Sequence, residues 1–336
     1  MILKLREVRQ DQIAAIQRLR DETEKALAKD MLGTQRAAFR TYDDRLRVLI
    51  QKLKDLHDVY FRGGDAGLAM AKQYRLDQQA ERIIMQEMSD LNDKITDIYK
   101  DAIVRQFQRS LARSTWELDS VTPPNIVPKF ARPNEQSIAE MVLTTWRGNL
   151  FSQEIGLIND ESARMIQNEF EKAMVNGDSA YDLGRRIRSF VGIGEDERLA
   201  TRPLAGRAKW RADMIARTQM MQAANAGQKV TYEENKEIIS TRKWITRSPG
   251  QFKRGKRRLC DYCEERRNKT EDEVREIAKE QGLPLEPPIH PMCACIWIVE
   301  PKPWSELMTK ELALKVKYSA SDHTLSFEDW RAKYGY

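Results

Sequence analysis

The sequence predicts a mainly α protein: an N-terminal long helical hairpin or bundle, a middle helical region and a small α+β C-terminal domain. Three observations carry this. Apolar residues in the first third recur at helical spacing, proline-rich stretches interrupt the helical pattern, and all four cysteines fall in one short stretch beside β-type segments.

In the first part, Leu46, Leu49, Leu53, Leu56 and Tyr60 recur at alternating steps of three and four, the seam of a packed helix pair. Ile84, Met88, Leu91, Ile95, Ile98 and Ala102 repeat the pattern. Arg62-Gly63-Gly64-Asp65-Ala66-Gly67 between them supplies a backbone permissive enough to reverse, which predicts an antiparallel hairpin over 1–121. Such a stripe is the ordinary signature of core packing and predicts shape, not activity.

Thr122-Pro123-Pro124, Pro128 and Pro133 fix φ and remove N–H donors, so 122–136 is expected to be a hinge or extended linker. Helices resume from about Ser137 in a middle region, 137–203. Within it Ser179-Ala180-Tyr181-Asp182 can cap a helix whose Ile187 and Phe190 face the core. A long helix is expected from about Leu204 to Ile239, opening a domain over 204–301. From Arg242 to Leu259 there are eight Lys or Arg and no acid, read as a strand and an exposed basic loop, and strand residues return at Ile296-Trp297-Ile298-Val299. The rest, 302–336, reads as a short, partly helical tail.

At 336 residues the chain exceeds the usual single-domain size, so two or three cores are expected. With 41% hydrophobic and 32% charged residues it is too apolar for a disordered chain and too charged for a membrane one. No apolar run approaches the roughly 20 residues that cross a bilayer, and the opening Met1-Ile2-Leu3-Lys4-Leu5 lacks a signal peptide's apolar core, so a cytoplasmic protein is expected. The net charge of +6 is modest, and its distribution is uneven.

In a reducing compartment clustered cysteines favour metal over disulfide. Cys260 and Cys263 have the two-residue spacing of a zinc knuckle, and His290-Pro291-Met292-Cys293 repeats it with an imidazole. If Cys293 to Val299 is a strand, Cys293 and Cys295 share a face, so five residues compete for four places. A shell of four thiolate and imidazole ligands leaves no position for a catalytic water, which makes the expected zinc structural. The competing reading is a set of reduced cysteines packed as small hydrophobes beside an ordinary histidine.

At this point the residues resemble the phage Mu F-like minor head proteins, also described as phage head morphogenesis proteins. The likeness runs over roughly Arg207 to Pro301. It rests on Ile215-Ala216-Arg217-Thr218-Gln219, Asn225 and Gly227, Trp244 after Arg242-Lys243, Cys260-Asp261-Tyr262-Cys263 and Pro287-Pro288-Ile289-His290-Pro291-Met292-Cys293-Ala294-Cys295. The chain departs from the family pattern at Gln219, where Glu is usual, in its basic residues shortly after the tryptophan, where an Asp is usual, and at Ala294, where Arg is usual. The resemblance implies a virion component that is present in the host cytoplasm during assembly. It would be carried in multiple copies, bind the portal or major capsid protein, and act in head assembly or DNA packaging without a membrane.

Lys253, Arg254, Lys256, Arg257 and Arg258 can neutralise phosphates of packaged double-stranded DNA through sequence-independent, salt-sensitive contacts, or equally form a solvated loop or one facing an acidic protein. Two further functions compete. An ADP-ribosyltransferase-like enzyme or toxin would use Glu271-Asp272-Glu273, although Thr270 and Glu273 fit a capping box better. A nucleic-acid-binding zinc module is the other, but no recognition helix with finger spacing is present. His57 and His323 stand apart from any acid and nucleophile, so no catalytic constellation is expected.

Overall fold

A computed structural model describes residues 2–61, 70–123, 126, 128–133, 138, 143, 150–176, 178–191, 204–246, 260–291, 293–307 and 325–335. The protein is mainly helical with a small sheet. In chain order come α1 (Ile2–Phe61), α2 (Met70–Val121), α3 (Phe151–Asn176), α4 (Ala180–Val191) and α5 (Leu204–Glu234). A 3-10 turn (Lys236–Ile238), β1 (Ile239–Ile245), α6 (Asp261–Glu265), α7 (Glu271–Gln281), β2 (Ile296–Pro301), α8 (Trp304–Leu307) and α9 (Phe327–Tyr334) follow. The glycine-rich reversal expected at 62–67 lies outside the described residues.

The chain forms two compact units. One comprises Met1–Met31, Ala102–Val142 and Arg217–Tyr336, the other Leu32–Asp101 and Leu143–Ala216. Residues of α1, α2 and α5 are divided between the two units.

In the second unit the expected stripes are core. Leu46, Leu49, Leu53, Ile84, Met88, Leu91 and Ile95 are buried, while Leu56 and Ile98 are half-buried and Tyr99 takes the deeper place. Arg45 pairs with Glu87 and Asp90, and Lys52 with Glu87, so these helix segments run antiparallel. α3 adds Phe151, Ile155, Ile158, Ile166 and Phe170, with the Phe151 ring set edge-on to Tyr99 at 5.9 Å. The Tyr42 hydroxyl donates to Asn159 Oδ1 at 3.1 Å. α4 begins as expected, with the Ser179 hydroxyl accepting from the Asp182 N–H at 3.1 Å.

In the first unit, β1 and β2 pair antiparallel, with Trp244 opposite Trp297 and Ile245 opposite Ile296. Period-two alternation sends the two tryptophans and Val299 to one face, and Ile245, Ile296 and Ile298 to the other. Both faces are covered. The first packs on Leu118 of α2 and Tyr232 of α5, the second on Leu27 and Met221. At about 2–3 kcal/mol per large apolar side chain buried, this double coverage compensates for a sheet of only two strands. The free edge of β1 is paired too: the Trp244 N–H donates to the Lys269 carbonyl and the Asn268 N–H to the Trp244 carbonyl, both at 2.8 Å.

α2 and α5 approach each other closely at Gly227. A Cβ there would lie 2.5 Å from the Phe107 carbonyl oxygen and 3.0 Å from the Leu111 nitrogen, so only glycine fits. Ser110 donates to the Ala224 carbonyl at 2.8 Å across the same contact.

The described residues of the expected linker have no regular secondary structure apart from a turn, the Ile126 N–H donating to the Pro123 carbonyl at 2.8 Å, and they are held. Asn235 accepts from the Lys129 N–H at 2.7 Å and donates to the Lys129 carbonyl at 3.1 Å. The terminal segment ends in α9, capped by Ser326, which packs Phe327 and Trp330 against Trp116 and Ala112 of α2, with Phe130 alongside. The Trp330 indole donates to Asp119 Oδ2 at 2.9 Å. No described helix is long and apolar enough to cross a membrane.

Candidate metal centre

Cys260 precedes α6 and caps it. The Cys263 N–H meets the Cys260 carbonyl at 3.0 Å and the Cys260 sulfur at 3.4 Å. This turn folds the two thiols toward one point. His290 and Cys293 are joined by the same step, with the Cys293 N–H donating to the His290 carbonyl at 3.1 Å. The strand begins only at Ile296, so Cys293 and Cys295 lie in the segment before it and the strand-face argument for them does not apply.

All five residues expected to bind metal come together. Cys260, Cys263 and His290 form one close group and Cys263, Cys293 and Cys295 a second, with donor atoms within 4.8 Å of one another in each group and Cys263 common to both. His290 Nε2 lies 3.1 Å from each of the Cys260 and Cys263 sulfurs, and the Cys263 and Cys293 sulfurs are 3.9 Å apart. His290 Nδ1 faces the Pro291 carbonyl at 2.8 Å. A carbonyl can only accept, so Nδ1 carries the proton and neutral Nε2 keeps its lone pair toward the sulfurs. The cysteines are free thiols, buried except for half-buried Cys260. This donor set and spacing suit a soft or borderline ion, so the cluster can hold a metal.

Without a metal the sulfurs compete for protons. Hydrogen bonds from the Cys263 and Cys295 thiols pull Cys293 down strongly, and Cys263 is correspondingly pushed up by its contacts with Cys293 and Cys295 and by burial. The Cys293 sulfur raises His290 to about 9. Against the pull of Cys263, the Cys293 sulfur and burial push Cys295 up.

The cluster sits in the core of the first unit among Leu118, Tyr232, Trp244, Val274, Ile289, Trp297 and Val299. The Trp244 and Trp297 rings meet edge-on at 5.1 Å, the Arg266 guanidinium lies 5.2 Å from the Trp244 ring centre, and that of Arg242 lies 4.9 Å from Trp297. Asn225 Nδ2 donates to the Met221 carbonyl at 2.9 Å and to the Cys295 carbonyl at 3.2 Å, which ties α5 to the cysteine segment.

The capping box at Thr270 is present. The Glu273 carboxylate accepts from the Thr270 N–H at 2.7 Å and its hydroxyl at 2.9 Å. Glu271 accepts from Arg242 at 2.8 Å and Arg275 at 3.0 Å, and Arg242 also reaches Glu286 at 3.2 Å. The basic residues Lys253, Arg254, Lys256, Arg257 and Arg258, and His323, lie outside the described residues. His57 is buried in the helical core. Arg266, not among the expected site residues, is fully buried against Trp244 of the cysteine cluster. No pattern marks it, since an arginine three residues past a knuckle usually lies in solvent. Comparison of the chain with protein-family models, with curated proteins and with solved structures finds no match.

Proposed function

We propose that this chain is a structural component of a phage head, a minor head protein whose C-terminal module is held in shape by one zinc ion. The observation that carries the metal half is the pair of matching turns, Cys260-x-x-Cys263 and His290-x-x-Cys293, each closed by the same backbone hydrogen bond and facing each other. These four residues would hold the ion through three sulfurs and His290 Nε2. Cys295, outside either turn, stays a packed thiol. A filled shell of this kind stabilises a fold and leaves no place for a reacting water.

The head-protein half rests on the quoted motif string, to which the fold adds physical roles. Gly227 permits the α2–α5 contact, Asn225 holds the cysteine segment, and Trp244 backs the cluster. The structural reading is favoured over a transferase because Glu271 and Glu273 are occupied as an ion-pair partner and a helix cap. In this reading the helical part docks on portal or capsid protein while the basic loop meets packaged DNA. Purified particles should contain the chain in stoichiometric amount by mass spectrometry, and Cys260→Ala with His290→Ala should give defective heads or heads lacking it. Normal infectious particles carrying the double variant would end this reading.

A further inference from the structure

Among the described residues, the Arg266 side chain is one of the largest to be fully buried. Its Nε and Nη2 donate to Gln281 Oε1 at 3.2 and 2.9 Å, its Nη1 donates to the Pro284 carbonyl at 2.7 Å, and its cation lies over Trp244. Among the described residues these acceptors are neutral. The nearby Glu265 carboxylate is exposed and accepts from Gln281 Nε2 at 2.6 Å. A guanidinium taken wholly out of water needs a compensating anion. Trp244, the ring under this cation, packs in one buried cluster with Cys263, Cys293 and Cys295, so the cysteine sulfurs are the buried groups near Arg266 that can carry negative charge, the Glu265 carboxylate being exposed.

We infer that Arg266 is the counter-charge of the metal centre: a positioning residue, not a ligand, whose buried cation balances a net negative metal–thiolate group. This rests on the zinc reading above and adds a charge count to it. A divalent ion with three thiolates and a neutral imidazole carries one net negative charge, which one guanidinium cancels. Gln281 presents its oxygen to Arg266 and its amide nitrogen to Glu265.

The test is zinc affinity of the full chain, measured by competition with a chromophoric chelator, for the wild type, Arg266→Met, Arg266→Lys and Gln281→Leu. Arg266→Met should bind at least about tenfold more weakly, the usual cost of losing a group that supports a ligand, while Gln281→Leu, which leaves the guanidinium in place, stays within roughly threefold and Arg266→Lys, whose buried ammonium keeps less of the charge, falls between the two. With cobalt(II) in place of zinc, the thiolate-to-metal charge-transfer band should move to lower energy in Arg266→Met and not in Gln281→Leu, a shift that packing alone does not produce. Wild-type affinity in Arg266→Met, or equal weakening in all three variants, overturns the inference. If neither Arg266→Met nor Arg266→Gln folds with zinc present, Gln281→Leu decides: near-wild-type affinity supports the charge role, and a tenfold loss overturns it. A wild-type chain that binds no zinc removes the metal reading itself and this inference with it.

Discussion

Cys263 and Cys293 place their sulfurs 3.9 Å apart, and each ends a turn closed by a backbone hydrogen bond onto the residue three before it, Cys260 or His290. Two such turns meeting face to face distinguish four of the five clustered donors from the fifth.

The first prediction follows from that distinction. Cys293→Ala should lose zinc on exposure to a moderate chelator, whereas Cys295→Ala should retain it and cost only about 1 kcal/mol for a small buried side chain. Metal retained after gel filtration separates the two. Equal loss from both would place Cys295 in the shell.

Gly227 gives a second. In Gly227→Ala the new methyl would meet the backbone of α2, which cannot yield as a flexible side chain does. The expected loss is about 1–3 kcal/mol in chemical denaturation. An unchanged midpoint would show that α5 can retreat from α2 at no cost.

A third concerns acid. Hydrogen bonding to Arg242 holds the Glu271 carboxyl below its ordinary range. A carboxyl depressed in the folded state contributes stability above its unfolded value, and that contribution fades as pH falls through the folded value. Wild type should therefore exceed Glu271→Gln in stability near neutrality, and the gap should shrink steadily below about pH 4.5. A gap that does not change with pH would mean that Arg242 gains nothing from the charge.

The acid-free basic run that includes Arg254, Lys256, Arg257 and Arg258 gives a fourth. Binding to duplex DNA should weaken steeply as salt rises, and neutralising Arg254, Lys256, Arg257 and Arg258 together should flatten that slope. An unaltered slope takes these residues out of the interface.

What the sequence made legible, and what it did not, divides along physical lines. Periodicity found Leu46, Leu49 and Leu53 because a helix core leaves a mark every three or four residues. Ligand spacing found all five donors, because metal chemistry constrains residue type as well as position. Thr270 with Glu273 was readable because a cap is local. Arg266 was not, since its burial depends on Trp244, Gln281 and Pro284 arriving from separate elements. Neither was the docking of Phe327 and Trp330 on α2, nor the clamp of Asn235 on Lys129. Both join residues far apart in the chain through contacts that leave no periodic trace.

Elemental analysis of the chain purified without added metal decides whether the C-terminal cluster is a zinc centre. One zinc per chain is expected, falling to near zero in Cys260→Ala with His290→Ala. Protein that is folded and active in head assembly but carries no stoichiometric metal would contradict it.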